Sequence, residues 1–186
     1  GCDLDVIDAQ GKRLPPGQEG DLALKLPNPQ LMLGYWKDPA RTQACVLNGP
    51  DGSWYLTNDR ARKDADGYLW YRGRSDDVIN SAGYRIGPLE VENALAEHPA
   101  VEVCAVVGSP DEERGEIVKA FVILRPGVHA GAGLTKALQD HVKSVTAPYK
   151  YPRAIEYVDE MPATITGKIN RRALREREYA KLRGAA

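Results

Sequence analysis

VEVCAVVGSPDEERGEIVKAFVIL, residues 101–124, holds two runs, 101–109 and 116–124, that are dense in β-branched and apolar residues and read as strands. Helical spacing flanks them on both sides. Upstream, Val91, Ala94, Leu95 and His98 recur at i, i+3, i+4 and i+7 behind Pro88, a residue tolerated at a helix start. Downstream, Leu134, Leu138, Val142 and Val145 form a second stripe, and a third helix is expected from near Asn170 to about Leu182. RPGVHAGAG, residues 125–133, reads as a surface loop between strand and helix. Strands interleaved with helices in this way predict an α+β fold for residues 78–186.

Residues 1–73 have a different texture. The runs LDVID, DLALKL, LMLGYW, WYLTND and YLWYRG are separated by PPG, PNP, NGPDG and DADG, which predicts a small all-β subdomain. The boundary is expected at 74–77, within GRSDD. The chain opens on GCDLDVIDAQGKRL with no initiator Met, as a strand entering a glycine turn, so a fragment of a longer protein is expected.

The 186 residues carry 25 Lys plus Arg against 26 Asp plus Glu, a formal charge of −1, which argues against a surface built for nucleic acid or anionic membrane. Any anion site must be local. Cys2, Cys45 and Cys104 form no CxxC pair, which suggests neither a disulfide framework nor a metal site and fits a reducing cytoplasm. No apolar stretch has the length that a membrane helix needs.

Three clusters have chemical potential, each with a plainer reading beside it. Asp59 and Arg74 each follow a strand, and a carboxylate can accept bonds from ribose hydroxyls while a guanidinium donates to hydroxyls or phosphate; the plainer reading is a hairpin with charged ends. In NSAGYRIGPLE, residues 80–90, Gly83 and Gly87 flank Tyr84, Arg85 and Ile86 ahead of a helix, so backbone can approach a ligand while Arg85 meets an anion. By itself this is equally a turn followed by a helix cap. In TITGKINRR, residues 164–172, Gly167 permits a tight loop and Lys168 is a flexible point charge suited to developing negative charge. Seven basic residues against two glutamates follow from 168 to 183, which also fits a solvated helix face or a nucleic-acid-binding tail.

YLTND, YRGRSDDVINSAGYRIGPLEVENAL and PATITGKINRR, in that order, closely resemble three signatures of the C-terminal part of the adenylate-forming acyl-CoA synthetases, the superfamily that also holds luciferases and peptide-synthetase adenylation domains. INSAGYRIGPLEVE, HPAV, RGEIVKAF and VTAPYKYPR look most like its medium-chain acyl-CoA synthetase branch. The resemblance implies a two-step reaction. A carboxylic acid attacks the α-phosphate of ATP, with Mg2+, to give acyl-AMP and pyrophosphate, and the thiol of coenzyme A then displaces AMP. It further implies that Asp59 and Arg74 bind the nucleotide, that Lys168 is the adenylation lysine, and that Arg85 meets the phosphate or acyl region in the second step. Ala82, Gly83 and Tyr84 would line the pantetheine passage, and Arg114, Lys143, Tyr151 and Arg153 would contact coenzyme A. Asp76 matches a hinge about which the small domain swings between steps.

Two departures stand out: Asn58 replaces the usual glycine of TGD, and Ala82 stands where serine is common. Asn tolerates positive φ better than most residues, so the turn is expected to survive. The family's phosphate loop and acyl pocket are absent from these residues, so the chain alone is not expected to complete adenylation. An adenylating enzyme that loads a carrier protein is the alternative within the superfamily. A non-enzymatic binding module using the basic C-terminal segment is the alternative outside it.

Overall fold

A computed structural model describes residues 1–184, and the chain divides into two compact units, Gly1–Asp76 and Asp77–Ala186. Residues 185 and 186, the end of the expected second domain, lie outside the described residues.

In the first unit, β1 (Leu4–Ile7), β2 (Glu19–Lys25), β3 (Val46–Gly49), β4 (Gly52–Lys63) and β5 (Leu69–Arg74) make one antiparallel sheet. Twelve-residue β4 organises it: β2 runs along one edge, while β3 and β5 share the other, β3 against the first half and β5 against the second. Trp54 is fully buried with Ile7 and Ala23, and its indole N–H donates to the Gly11 carbonyl at 2.9 Å. The unit is not all-β, because Pro39–Ala44 forms a short helix, α1, capped by the Asp38 carboxylate on the Arg41 N–H. LMLGYW is also not a strand. Leu33 is fully exposed and Trp36 nearly so, while Gly34 and Lys37 take positive φ, so the run joins no sheet and only Leu31 and Tyr35, the latter under the Arg41 guanidinium at 4.0 Å, are partly covered.

The second unit is built on β8 (Val101–Asp111) and β9 (Gly115–Leu124), an antiparallel pair matched along their whole length. Short β6 (Ile79–Ser81) and β7 (Tyr84–Ile86) join β9 at Gly115, and β10 (Ala154–Tyr157) adds parallel to it. Period-2 alternation divides the side chains of this sheet between two faces. Val106, Val118, Ala120 and Val122 pack with Val91, Leu95, Leu138 and Val142 from α2 (Pro88–Ala96) and α3 (Ala132–Val145), while Ala105, Val107 and Phe121 pack with Leu174 from α4 (Arg171–Gly184). Cover on both faces explains why residues 101–124 read as nearly continuous apolar runs. Two stripe residues fall outside their expected places: α2 ends at Ala96, short of His98, and Val145 at the end of α3 is half exposed.

The segment 171–181 keeps a solvated face, with Arg172, Glu176 and Arg177 exposed, but it also buries Leu174 and Glu178. Glu178 of α4, 5% exposed, meets Lys119 of β9 at 2.9 Å, and Lys119 also reaches Glu156 at 2.7 Å. Burial pushes the Glu178 carboxyl up, but hydrogen bonds from Lys119, Lys181 and Ser109 outweigh it and hold the group below the ordinary glutamate value of 4.5. Glu156 is lowered in the same way, with burial opposing and Lys119 and Lys181 prevailing. A carboxylate depressed in the folded state contributes stability above its unfolded value and loses it as pH falls through its folded one. The expected urea midpoint is therefore level from neutral pH down to about 5 and falls below about 4.5, with Glu178→Gln flattening the fall.

Candidate functional site

In the first unit the sequence TND makes a bulge. Leu22 of β2 pairs with Asp59, yet its neighbour Ala23 pairs with Leu56, so Thr57 and Asn58 are inserted in β4. Asn58 takes φ of +60°, the left-handed conformation that glycine or asparagine supplies most readily, so the departure from TGD leaves the turn intact. The Thr57 hydroxyl donates to the Leu22 carbonyl at 2.7 Å and accepts the Asp59 N–H at 3.1 Å. Asp59 then stands directly across from Arg74, with Nη1 to Oδ1 at 3.6 Å, while Arg74 Nε donates to Asp76 Oδ1 at 2.8 Å. Asp59, expected to follow a strand, lies within β4 because the bulge lets the strand continue to Lys63, while Arg74 is the last residue of β5; with Asp76, expected as the hinge, they form one partly exposed cluster. The division between the units follows Asp76 directly.

In the second unit, β6 and β7 form a tight hairpin whose two turn residues are Ala82 (φ +49°) and Gly83 (φ +82°). Positive φ at both positions is the type I′ requirement, so the backbone itself calls for glycine at 83, and a β-carbon there would meet open space. The Ala82 N–H donates to the Arg114 carbonyl at 3.0 Å, which docks the β8–β9 turn against this hairpin. The Arg114 guanidinium is held by Glu113 at 3.0 Å and by Asp111 at 3.7 Å. Arg85 is exposed on β7 opposite Asn80.

Tyr84 continues the surface by stacking on Tyr149, with ring centroids 4.3 Å apart and planes 20° from parallel. Two residues on, Tyr151 is faced by Lys143 Nζ at 4.1 Å and by the Arg153 guanidinium at 5.1 Å, and Arg153 Nη1 donates to the Tyr151 hydroxyl at 3.1 Å. Hairpin, stacked tyrosines and cationic platform therefore follow one another on the same unit. Lys143 also touches Asp140 at 3.3 Å, an exposed pair of the kind worth under about 1 kcal/mol. Tyr149 is the residue of this surface that sequence reasoning misses; its place in VTAPYKYPR, two residues before Tyr151, is the available signal.

Lys168 lies on a separate turn. The Gly167 N–H donates to the Thr164 carbonyl at 2.9 Å, Thr164 N–H to the Lys168 carbonyl at 2.7 Å, and Lys168 N–H to the Thr164 hydroxyl at 3.1 Å, with Gly167 at φ +79°. Asn170 closes the loop by donating to the Pro162 carbonyl at 2.7 Å, and its side chain accepts the Ala173 N–H to cap α4. The Lys168 side chain is exposed and makes no ion pair or hydrogen bond among the described residues. The cations that follow, as far as Lys181, are engaged: Arg171 with Glu92, Arg172 with Glu176, Arg175 with Asp77, Arg177 with Glu156, and Lys181 with Glu178. The basic run thus separates into one offered ammonium and a set of structural pairs.

Other chemistries find little support. Burial pushes the Cys104 thiol up to about 12, with the nearby Glu92 adding to it, so this sulfur is a packing group and no nucleophile. Among the described residues no three His, Cys, Asp or Glu side chains gather as a metal site would require. None of the described helices is long and apolar enough to cross a membrane.

Residues 90–168 match the family model described as the AMP-binding enzyme C-terminal domain. The chain is 52% identical over 182 residues to the mitochondrial acyl-coenzyme A synthetase ACSM1 of Mus musculus, covering 97% of this chain and 32% of that protein. It is 50% identical to the acyl-CoA ligase YtcI of Bacillus subtilis, over 96% of this chain and 33% of the relative. Among solved structures, the anthranilate CoA ligase AuaEII in complex with anthranoyl-AMP superposes with a TM-score of 0.85 at 40% identity, covering all of this chain and 34% of that one. The chain thus spans about a third of the length of the proteins it matches. On the fold, the ordered signatures and these likenesses together, the chain carries an AMP-binding enzyme C-terminal domain at residues 90–168 and is similar along its length to the C-terminal part of adenylate-forming acyl-CoA synthetases.

Proposed function

We propose that this chain is the C-terminal part of an AMP-forming acid:CoA ligase, which activates a medium-chain or aromatic carboxylic acid with ATP and passes the acyl group to coenzyme A. The observation that carries the reading is Lys168, an unpartnered ammonium on a glycine turn at the head of a helix whose other described cations are engaged. In the first step Lys168 neutralises charge that develops between the attacking carboxylate and the α-phosphate. Asp59 accepts the ribose hydroxyls, Arg74 donates to the same nucleotide, and Arg85 meets phosphate or acyl oxygen in the second step. The acyl carbon gains the sulfur of coenzyme A and releases AMP, while the thiol proton goes to solvent. The pantetheine arm passes Ala82, Gly83 and Tyr84, and the coenzyme phosphates are read by Arg114, Lys143 and Arg153 beside Tyr151. Asp76 is the pivot between the steps.

Mg2+ is expected with ATP, but the acidic residues described here do not converge on a site for it, so it is read as arriving with the nucleotide and no step on this chain is assigned to it. Three free cysteines, two of them sheltered, suit the reducing cytoplasm that we propose for this protein, although several relatives are named as mitochondrial.

Free coenzyme A is favoured over a carrier-bound arm because a carrier presents no adenosine phosphates to the Lys143, Tyr151 and Arg153 platform. In the full-length enzyme, Lys143→Ala with Arg153→Ala is expected to raise the KM for coenzyme A about 10-fold or more while leaving the KM for pantetheine unchanged. An equal rise for both thiols would place the cations outside the coenzyme site. A binding module acting through the C-terminal segment finds no support here, since Arg171, Arg175 and Arg177 are committed to acidic partners.

A further inference from the structure

Glu92 is a buried carboxylate on α2 that none of the roles above uses. It is 7% exposed, its Oε1 accepts the Val106 N–H at 2.8 Å and Arg171 Nε at 2.9 Å, and its Oε2 accepts Arg171 Nη2 at 2.6 Å. A charge in that position is costly unless fully bonded, and helix packing alone would be served by an apolar side chain. We propose that Glu92 is a positioning residue for Lys168, fixing the exit of the lysine turn to the rigid α2 and β8. The proposal rests on the ligase reading above.

The placement makes the argument. Arg171 is the first residue of α4 and stands three positions after Lys168, immediately beyond the Asn170 to Pro162 bond that closes the turn. A two-toothed guanidinium grip at that point sets the direction in which the turn leaves the domain. The rest of α4 is held independently by buried Leu174, by Arg175 on Asp77 and by Glu178 on Lys119, so losing Glu92 frees the turn and leaves the helix docked. The same carboxylate belongs to the helix that starts directly after the 79–86 hairpin, so the lysine turn and the hairpin are tied into one body. A cation that must match a reacting phosphate within a fraction of an ångström depends on such support.

In the full-length enzyme, Glu92→Gln is expected to lower kcat for ATP–pyrophosphate exchange about 10- to 100-fold, with the KM for ATP and the thioester step from supplied acyl-adenylate each within about 3-fold of wild type. Hydrogen exchange at residues 163–170 should accelerate while β8 and β9 stay protected, and Arg171→Lys should keep more adenylation than Arg171→Met. Equal loss of both half-reactions, or unchanged exchange at 163–170, would overturn the proposal. If Glu92→Gln does not fold, Arg171→Lys carries the same comparisons, because it leaves a cation on Glu92. Lys168→Ala run in parallel separates the two levels. No adenylation by the wild-type enzyme overturns the ligase reading, and adenylation surviving Lys168→Ala overturns the lysine's role, with the exchange data in either case still deciding whether Glu92 holds the turn; loss in Lys168→Ala but not in the Glu92 or Arg171 variants overturns the positioning role alone.

Discussion

Lys168→Ala in the full-length enzyme is expected to reduce ATP-dependent formation of acyl-AMP by roughly 10²- to 10³-fold, the usual cost of removing one preorganised group from developing negative charge. Thioester formation from supplied acyl-adenylate should stay within about 3-fold of wild type, because the proposed turn of the unit between the steps carries this ammonium away from the charge that then develops on the departing AMP. The asymmetry is what the geometry supports. The turn is held by its own backbone bonds to Thr164 and by the Asn170 to Pro162 closure, none of which uses the lysine side chain. Substitution therefore removes the charge and leaves the loop. Folding should be unchanged, since an exposed, unpaired side chain contributes little to stability. Equal losses in both half-reactions would point to a general structural role and remove Lys168 from the chemistry.

Asp76→Pro is expected to do the reverse: adenylation close to wild type and thioester formation reduced on the order of 10²-fold. Residues assigned to the two steps, Lys168 for the first and Gly83 for the second, belong to one unit, so one site can use both only if that unit turns. The chain divides between Asp76 and Asp77, and Asp76 lies in a single turn of 3-10 helix, Ser75–Asp77, outside both sheets. Proline there fixes φ and restricts the preceding residue, which removes the freedom a pivot needs. Asp76→Ala separates backbone from side chain: it deletes the carboxylate that binds Arg74 but keeps φ free, and should cost far less. Unchanged turnover in Asp76→Pro would rule out the pivot at this position.

Where the sequence was legible, the reason is physical. Runs 101–109 and 116–124 were readable as strands because both faces are covered, so almost every residue there is apolar. The charge at Lys168 could be separated from the arginines after it only in three dimensions, since the acidic partners Glu92, Asp77 and Glu156 come from elsewhere in the chain and a window of sequence sees only the basic excess. LMLGYW misled for the opposite reason: it has strand-like composition, but Gly34 and Lys37 turn the backbone and its apolar side chains find no sheet. The 79–86 hairpin shows in the sequence only as a turn, because strands of three residues are too short to show alternation. Asp59 and Arg74 were recognisable as a carboxylate and a guanidinium next to strand-like runs, though Asp59 lies within β4 and only Arg74 ends its strand. That they face each other depends on bulges in β4 and β5, which no spacing rule reveals.

The claim that joins these residues is an acid activated as its adenylate and then moved to coenzyme A. The most direct test incubates the full-length enzyme with ATP, Mg2+, coenzyme A and a panel of medium-chain and aromatic acids, and identifies the products by mass spectrometry. The expected result is AMP, pyrophosphate and an acyl-CoA, with acyl-AMP accumulating when coenzyme A is left out. Release of ADP and phosphate, or acyl-AMP that forms but is never converted to a thioester by coenzyme A, would contradict it.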